Sequence, residues 1–322
     1  MRSAADLDAL VADLSKVHDS NLSGRVRTQE ARQLFETITA PTRVRRRRRS
    51  AYTIAVAAAL VAVAAGIVVG GSHTTATASA ATALKNVASV ARTQQPLVAA
   101  RGQFVYTKSD WLSLDTYVGA GTSYSALIPW SRESWVGPTG GRMHQVPGQP
   151  QFISDRDRDA WIAAGRPRFT GPAAGAPEAL PPARPLDLPT DPGALFERLK
   201  RETASYGDRQ DAEMFVLVGD SLRETNASPA QRAALYAVAA RIPGIDLVGD
   251  VTSAGRRGIA VAKDDDVNHV RSTLVFDPQT SVLLGEEEST LAGNSFGYPV
   301  GTRIETATYL QTAIVDSLVA QP

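Results

Sequence analysis

The chain has 322 residues, 43% of them hydrophobic and 21% charged, and its 34 basic residues almost cancel 33 acidic ones. This composition excludes global disorder, a collagen-like sequence and a multi-span transporter, because it supplies a sizeable core but only one long uncharged run. With no cysteine in the chain, a disulfide scaffold, a thiol nucleophile, a cysteine-ligated zinc and an iron–sulfur cluster are excluded as well.

The first 50 residues carry 11 basic and 6 acidic side chains, and most of the excess is Arg43 and the run Arg45, Arg46, Arg47, Arg48 and Arg49. Residues 51–71, AYTIAVAAALVAVAAGIVVGG, follow at once, and no charge returns until Lys85. At about 1.5 Å per residue a helix of this length covers about 30 Å, the thickness of a hydrocarbon core. The segment therefore predicts one transmembrane helix. Arginines on its N-terminal flank place that flank in the cytoplasm and the C-terminal mass outside the cell membrane. Small-residue triplets at residues 76–78 and 78–80 resemble signal-peptidase sites. Against cleavage stand the long preceding segment and an apolar run longer than a signal peptide needs. Beside a membrane span the arginines read as a topology anchor and a binder of anionic headgroups, so no direct nucleic-acid binding is expected. Gly66 and Gly70 form a GxxxG spacing that lets two spans approach closely, though it arises easily in an Ala- and Gly-rich helix.

In the tail, Leu7, Leu10, Leu14 and Val17 share one helical face with Val11, and Ser3 with Asp6 suits its N-terminal cap. Leu34, Phe35 and Ile38 form a second apolar stretch before Pro41. So short a segment builds no stable core, so its helices need a partner: each other, the membrane surface, or a cytoplasmic protein.

Outside the span, residues 75–94 predict an Ala-rich helix with Leu84, Val87, Ala88 and Ala91 on one side. Five short strands are then predicted at residues 103–108, 112–118, 125–128, 132–136 and 142–146, separated by Gly, Pro or Ser. Eight prolines lie between Pro167 and Pro192, so residues 165–192 predict a covering loop or linker. Asp191-Pro192 opens a helix through Leu195, Phe196 and Leu199, a second is predicted at residues 211–224, and Ser228-Pro229 opens a third through Ile242. Strands return at residues 245–251, 258–262, 270–276, 281–287 and 303–312. Asp277-Pro278-Gln279-Thr280 is a turn that closes a hairpin. Strands, helices and strands again predict an α+β fold with a curved antiparallel sheet and packed helices over residues 72–322.

The strongest catalytic lead is Gly219-Asp220-Ser221-Leu222 after Phe215-Val216-Leu217-Val218, which resembles the serine turn of the GDSL hydrolases, with Asp266 and His269 as a D-x-x-H downstream. Only 47 residues separate Ser221 from His269, and no G-x-N-D intervenes, so the oxyanion donors the chemistry needs are missing. The same stretch fits a helix with Met214, Phe215, Val218 and Leu222 on one side. Asp155, Asp157 and Asp159 have the spacing that starts an EF-hand loop. Ala160 stands where that loop needs glycine, and Arg156 and Arg158 repel calcium, so a solvated, self-compensating loop is expected. The acidic runs 264–266 and 286–288 read as surface at strand ends. Of the histidines only His144 and His269 are placed to meet, and neither has a ligand spacing. No catalytic, cofactor-binding or metal residue is assigned; no cofactor is expected, and the chain reads as a non-enzyme.

Several of these segments together resemble a family. The arginine-flanked span, the helix ending in Leu84, Gln103-Phe104-Val105-Tyr106, Arg132-Glu133-Ser134-Trp135, Asp191-Pro192-Gly193-Ala194-Leu195, Arg232-Ala233-Ala234-Leu235-Tyr236, Pro243-Gly244-Ile245, Gly255-Arg256-Arg257-Gly258-Ile259-Ala260-Val261 and Phe276-Asp277-Pro278-Gln279-Thr280 look like actinobacterial single-pass membrane proteins commonly encoded beside extracytoplasmic-function sigma factors. The resemblance spans nearly the whole chain and is most specific from Arg232 to Thr280, with Ser281 where a glycine often follows. An Arg to Lys ratio of 29 to 5 agrees with a GC-rich bacterial genome. The family has no established activity. Its gene context implies a regulator of anti-sigma type, with residues 1–42 contacting a sigma factor or other cytoplasmic regulator. Its element order is similar to that of lipoprotein-carrier and sigma-regulator sensor domains, which implies as the alternative an extracytoplasmic carrier of a lipid or other hydrophobic ligand.

Overall fold

In a computed structural model, residues 68–69, 77–119, 122–169, 177–223 and 227–322 are described, and all belong to one unit, Ala62–Pro322. The tail helices, the arginine run and Gly66 and Gly70 lie outside the described residues, as does the predicted span apart from Val68 and Val69. No described helix is long and apolar enough to cross a membrane.

The fold is α+β. Ten strands form one antiparallel sheet in the order β1-β6-β7-β8-β9-β10-β2-β3-β4-β5. Beta-branched and aromatic runs make its first block, but as three long strands rather than five short ones: β2 (Phe104–Gly119), β3 (Thr122–Gly137) and β4 (Gly140–Pro147). Pro129, which the sequence places at a strand break, is instead paired with Leu112 inside β3. In a strand the N–H and C=O of one residue point to the same neighbour. The Pro129 carbonyl accepts from the Gly148 amide just past the end of β4, so its missing N–H points to where that ladder has already stopped and costs no bond.

The second block is β6 (Ile245–Ser253), β7 (Arg256–Asp265), β8 (Val270–Phe276), β9 (Leu283–Thr290) and β10 (Arg303–Val315). Register shifts in β6 after Leu247 and in β10 after Tyr309 add local twist and curve the sheet. β10 joins the two blocks, pairing with β9 on one side and β2 on the other. The edges are short. β5 (Glu178–Leu180), within the proline-rich stretch, pairs with β4, and β1 (Val68–Val69) pairs with β6 through Val68↔Thr252 and Val69↔Val251. The predicted helix over 51–71 therefore does not hold at Val68 and Val69, where the ladder of an exposed edge takes up two β-branched residues.

Four helices pack on one face of the sheet: α1 (Thr77–Thr93), α3 (Pro192–Glu202), α4 (Gln210–Leu222) and α5 (Pro229–Ala239). Their starts follow the sequence signals. The Asp191 carboxylate accepts from the Ala194 amide at 2.7 Å, with Pro192 in the first turn. Ser228 and Gln231 form a reciprocal capping box. Gln231 also donates to the carbonyls of Leu186 and Leu188, which ties the proline-rich stretch down as a covering loop. The main core joins Leu84, Leu195, Phe215 and Leu235 of the helices to Val261, Leu274, Phe276 and Ala307 of the sheet. On the opposite face Val251, Ala260, Val275 and Leu284 form one small cluster. Tyr106, Trp135 and Val315 form another, with Leu318 and Ala320 packed on it.

The aspartates at 155, 157 and 159 lie on a helix, α2 (Asp155–Ala163), rather than in the expected loop. Ser154 caps it, and Asp157 accepts from the Ser125 amide at 3.1 Å. A carboxylate at the start of a helix is favoured by the unpaired amides there, which the loop reading left out. Trp161 of this helix, with Phe152 and Phe169, covers Tyr124 near the end of the β2–β3 hairpin.

Candidate functional site

Helix α1 has two working faces. Ala80, Leu84, Ala88 and Ala91 are buried in the core. Ser79, Thr82, Ala83, Asn86 and Val87 line a cleft of about 630 Å³, bounded across from them by Ile259 of β7 and Pro278. Its volume is that of a small-molecule pocket. Among the described residues no lining side chain is ionisable; the aliphatic walls suit an apolar group, with Ser79, Thr82 and Asn86 as polar contacts on one side.

Pro278 is held by the turn the sequence predicts. The Asp277 carboxylate accepts from the amides of Gln279 at 2.7 Å and Thr280 at 3.1 Å, and the Ser281 amide donates to the Asp277 carbonyl at 2.8 Å. Behind it the buried Tyr236 hydroxyl donates to the Ser281 carbonyl. The cleft wall is thus anchored to α5.

A polar and aromatic cluster lies on the same sheet face farther along. Trp111 and Trp130 stack with centroids 4.9 Å apart, Tyr309 meets Trp111 edge-on, and the Arg132 and Arg223 guanidinium groups lie over Trp111. Arg223, just past α4, holds Glu286 of β9 through two bonds of 2.9 and 2.7 Å, and the Tyr309 hydroxyl also donates to Glu286. Burial disfavours the charged guanidinium, but the charge and hydrogen bonds of Glu286 outweigh it and raise the pKa of Arg223. At the other end of α4, Arg209 bridges Glu213 and Asp265 of β7. Both ends of α4 are therefore fastened to the sheet by arginine–carboxylate pairs.

Ser221 lies on α4, its hydroxyl donating to the Leu217 carbonyl of the same helix at 2.7 Å, and Met214, Phe215, Val218 and Leu222 are buried as the helical reading expects. The strand reading of 215–218 does not hold. His269 and Asp266 lie in the β7–β8 connection, where His269 has a positive φ. His144 is on β4 opposite Glu133, so the two histidines stand on separate parts of the sheet. Among the described residues no group of three or more His, Cys, Asp or Glu is arranged to hold a metal. The run 286–288 is inside β9 rather than at its end, with Glu286 bound by Arg223 and Glu287 by Arg303 at 2.8 Å. Burial raises the pKa of Glu287 even so.

No protein-family model matches the chain, and no curated protein matches it either.

Sequence reasoning did not find the cleft, the paired tryptophans or the two clamps of α4. Arg223 and Glu286 are 63 residues apart, and no local spacing marks such a pair.

Proposed function

We propose that the chain is a non-catalytic, membrane-anchored extracytoplasmic sensor or regulator. Residues 51–67 hold it in the cell membrane, residues 1–42 face a cytoplasmic partner such as a sigma factor, and the outer domain takes a signal. The observation that carries this reading is the position of α1. It is the first helix after the predicted span, and it lines the apolar cleft, so occupancy of the cleft acts on the helix nearest the membrane in the chain. The resemblance to membrane proteins encoded beside sigma factors supports the same reading. A curved antiparallel sheet with helices on one face also supports the likeness to lipoprotein carriers.

The test is a pull-down with residues 1–42. The wild-type tail retains its cytoplasmic partner. Leu10→Asp with Leu14→Asp abolishes retention, because a buried apolar stripe tolerates no unpaired charge. The second reading is a carrier of a lipid or other hydrophobic ligand, favoured by the aliphatic lining of the cleft. A tail without a partner, together with lipid that co-purifies with the outer domain, decides for the carrier.

A further inference from the structure

The pairing of β1 fixes a direction. Val68 lies opposite Thr252 and Val69 opposite Val251, so β1 runs antiparallel to β6 and the chain enters the sheet at the end where β6 turns into β7. Because neighbouring strands alternate in direction, the β8–β9 turn, residues 277–282, stands at that same end. The β7–β8 and β9–β10 connections stand at the other.

Val68 is also part of the uncharged run that begins at Ala51. If the ladder takes Val68 and Val69, residues 51–67 remain for the membrane, and at about 1.5 Å per residue they cover about 25 Å, the lower end of a spanning helix. In chain order β1 follows the predicted span directly, so its partners Val251 and Thr252 mark the end of the sheet that the chain enters first.

From this we infer that the end of the sheet formed by the β6–β7 and β8–β9 turns rests on the outer surface of the phospholipid bilayer, with the α1 cleft opening beside it. The inference rests on the membrane-anchor reading above. Three features of this end fit such a partner. Arg257 is 78% exposed and, among the described residues, is paired with the exposed Asp250, a pair of small worth in water that an anionic headgroup can replace. Val282 is an exposed aliphatic side chain beside the turn. Pro278, in the turn itself, is also a wall of the cleft, which puts the apolar groove within reach of lipid. At the opposite end Asp264 and Asp265 are paired with Arg271 and Arg209, and the exposed Asp266 is a charge that an anionic surface repels.

The absence of cysteine makes the test direct. Gln279→Cys and Val267→Cys, both at exposed positions, are labelled with a fluorophore in the full-length protein, reconstituted in vesicles of phosphatidylethanolamine and phosphatidylglycerol that carry a headgroup quencher. Loss of fluorescence at position 279 but not at 267 is expected. Quenching at 267 alone, at both positions or at neither overturns the inference. In the same vesicles Val68→Cys with Thr252→Cys is expected to form a disulfide on oxidation, and its failure to form removes the pairing that sets the direction. Flotation and resistance to alkaline carbonate test the anchor separately: a protein that leaves the vesicles refutes the anchor reading, whereas one that stays with the wrong quenching pattern refutes only the orientation.

Discussion

The Tyr236 hydroxyl donates to the Ser281 carbonyl at 2.8 Å, linking α5 to the β8–β9 turn. Both residues are buried, so Tyr236→Phe leaves a carbonyl without its donor and costs about 1–3 kcal/mol. Urea unfolding measures the loss, and faster hydrogen exchange at the Gln279 and Thr280 amides locates it at the turn. Burial raises the Tyr236 pKa above the ordinary 10.0. Above about pH 10 the unfolded phenol loses its proton while the folded one keeps it, so this residue's contribution to stability falls as pH rises. The Phe variant lacks that part of the alkaline loss.

Ser281 has a φ of 60° and a buried hydroxyl with no hydrogen-bond partner among the described residues. Left-handed backbone costs a non-glycine residue about 1–2 kcal/mol, partly offset by the greater freedom glycine has when unfolded. Ser281→Gly is expected to stabilise the domain by about 1 kcal/mol, seen as a higher urea midpoint at unchanged slope. Ser281→Ala removes only the orphaned hydroxyl and gains less.

Arg223 and Glu286 are largely buried and doubly bonded. Arg223→Met leaves an uncompensated carboxylate and costs about 3–5 kcal/mol. Adding Glu286→Leu recovers part of that loss, so the double variant is more stable than Arg223→Met alone. Equal or greater destabilisation in the double variant contradicts the clamp.

Filling the α1 cleft separates binding from folding. Ala83→Trp places a large ring among Ser79, Asn86 and Pro278 and is expected to weaken binding of an apolar fluorescent probe at least about tenfold, about 1.4 kcal/mol. The urea midpoint stays near that of the wild type. Unchanged probe binding places the apolar site elsewhere.

Ser221→Ala and His269→Ala are expected to leave the phenotype of the intact gene unchanged, since the Ser221 hydroxyl is directed to its own helix. Specific labelling of Ser221 by a fluorophosphonate is the contrary outcome.

The sequence by itself determined what neighbours along the chain decide. Asp191 and Ser228 act on amides three residues away, Asp277 closes its own turn, and the apolar run Leu274-Val275-Phe276 marks β8. These interactions are local, so their residue types and spacing specify them. Tertiary structure decided which strands stand side by side. β10 lies between β9 and β2, and only that order brings Trp111 to Tyr309 and carries the helices over one sheet face. Arg223 and Glu286, the cleft between α1 and Pro278, and Val68 beside Thr252 depend on the same ordering. Each is a contact between residues far apart in the chain, set by the packing of whole elements. Spacing does not record it, because many sheet orders satisfy the same local pattern.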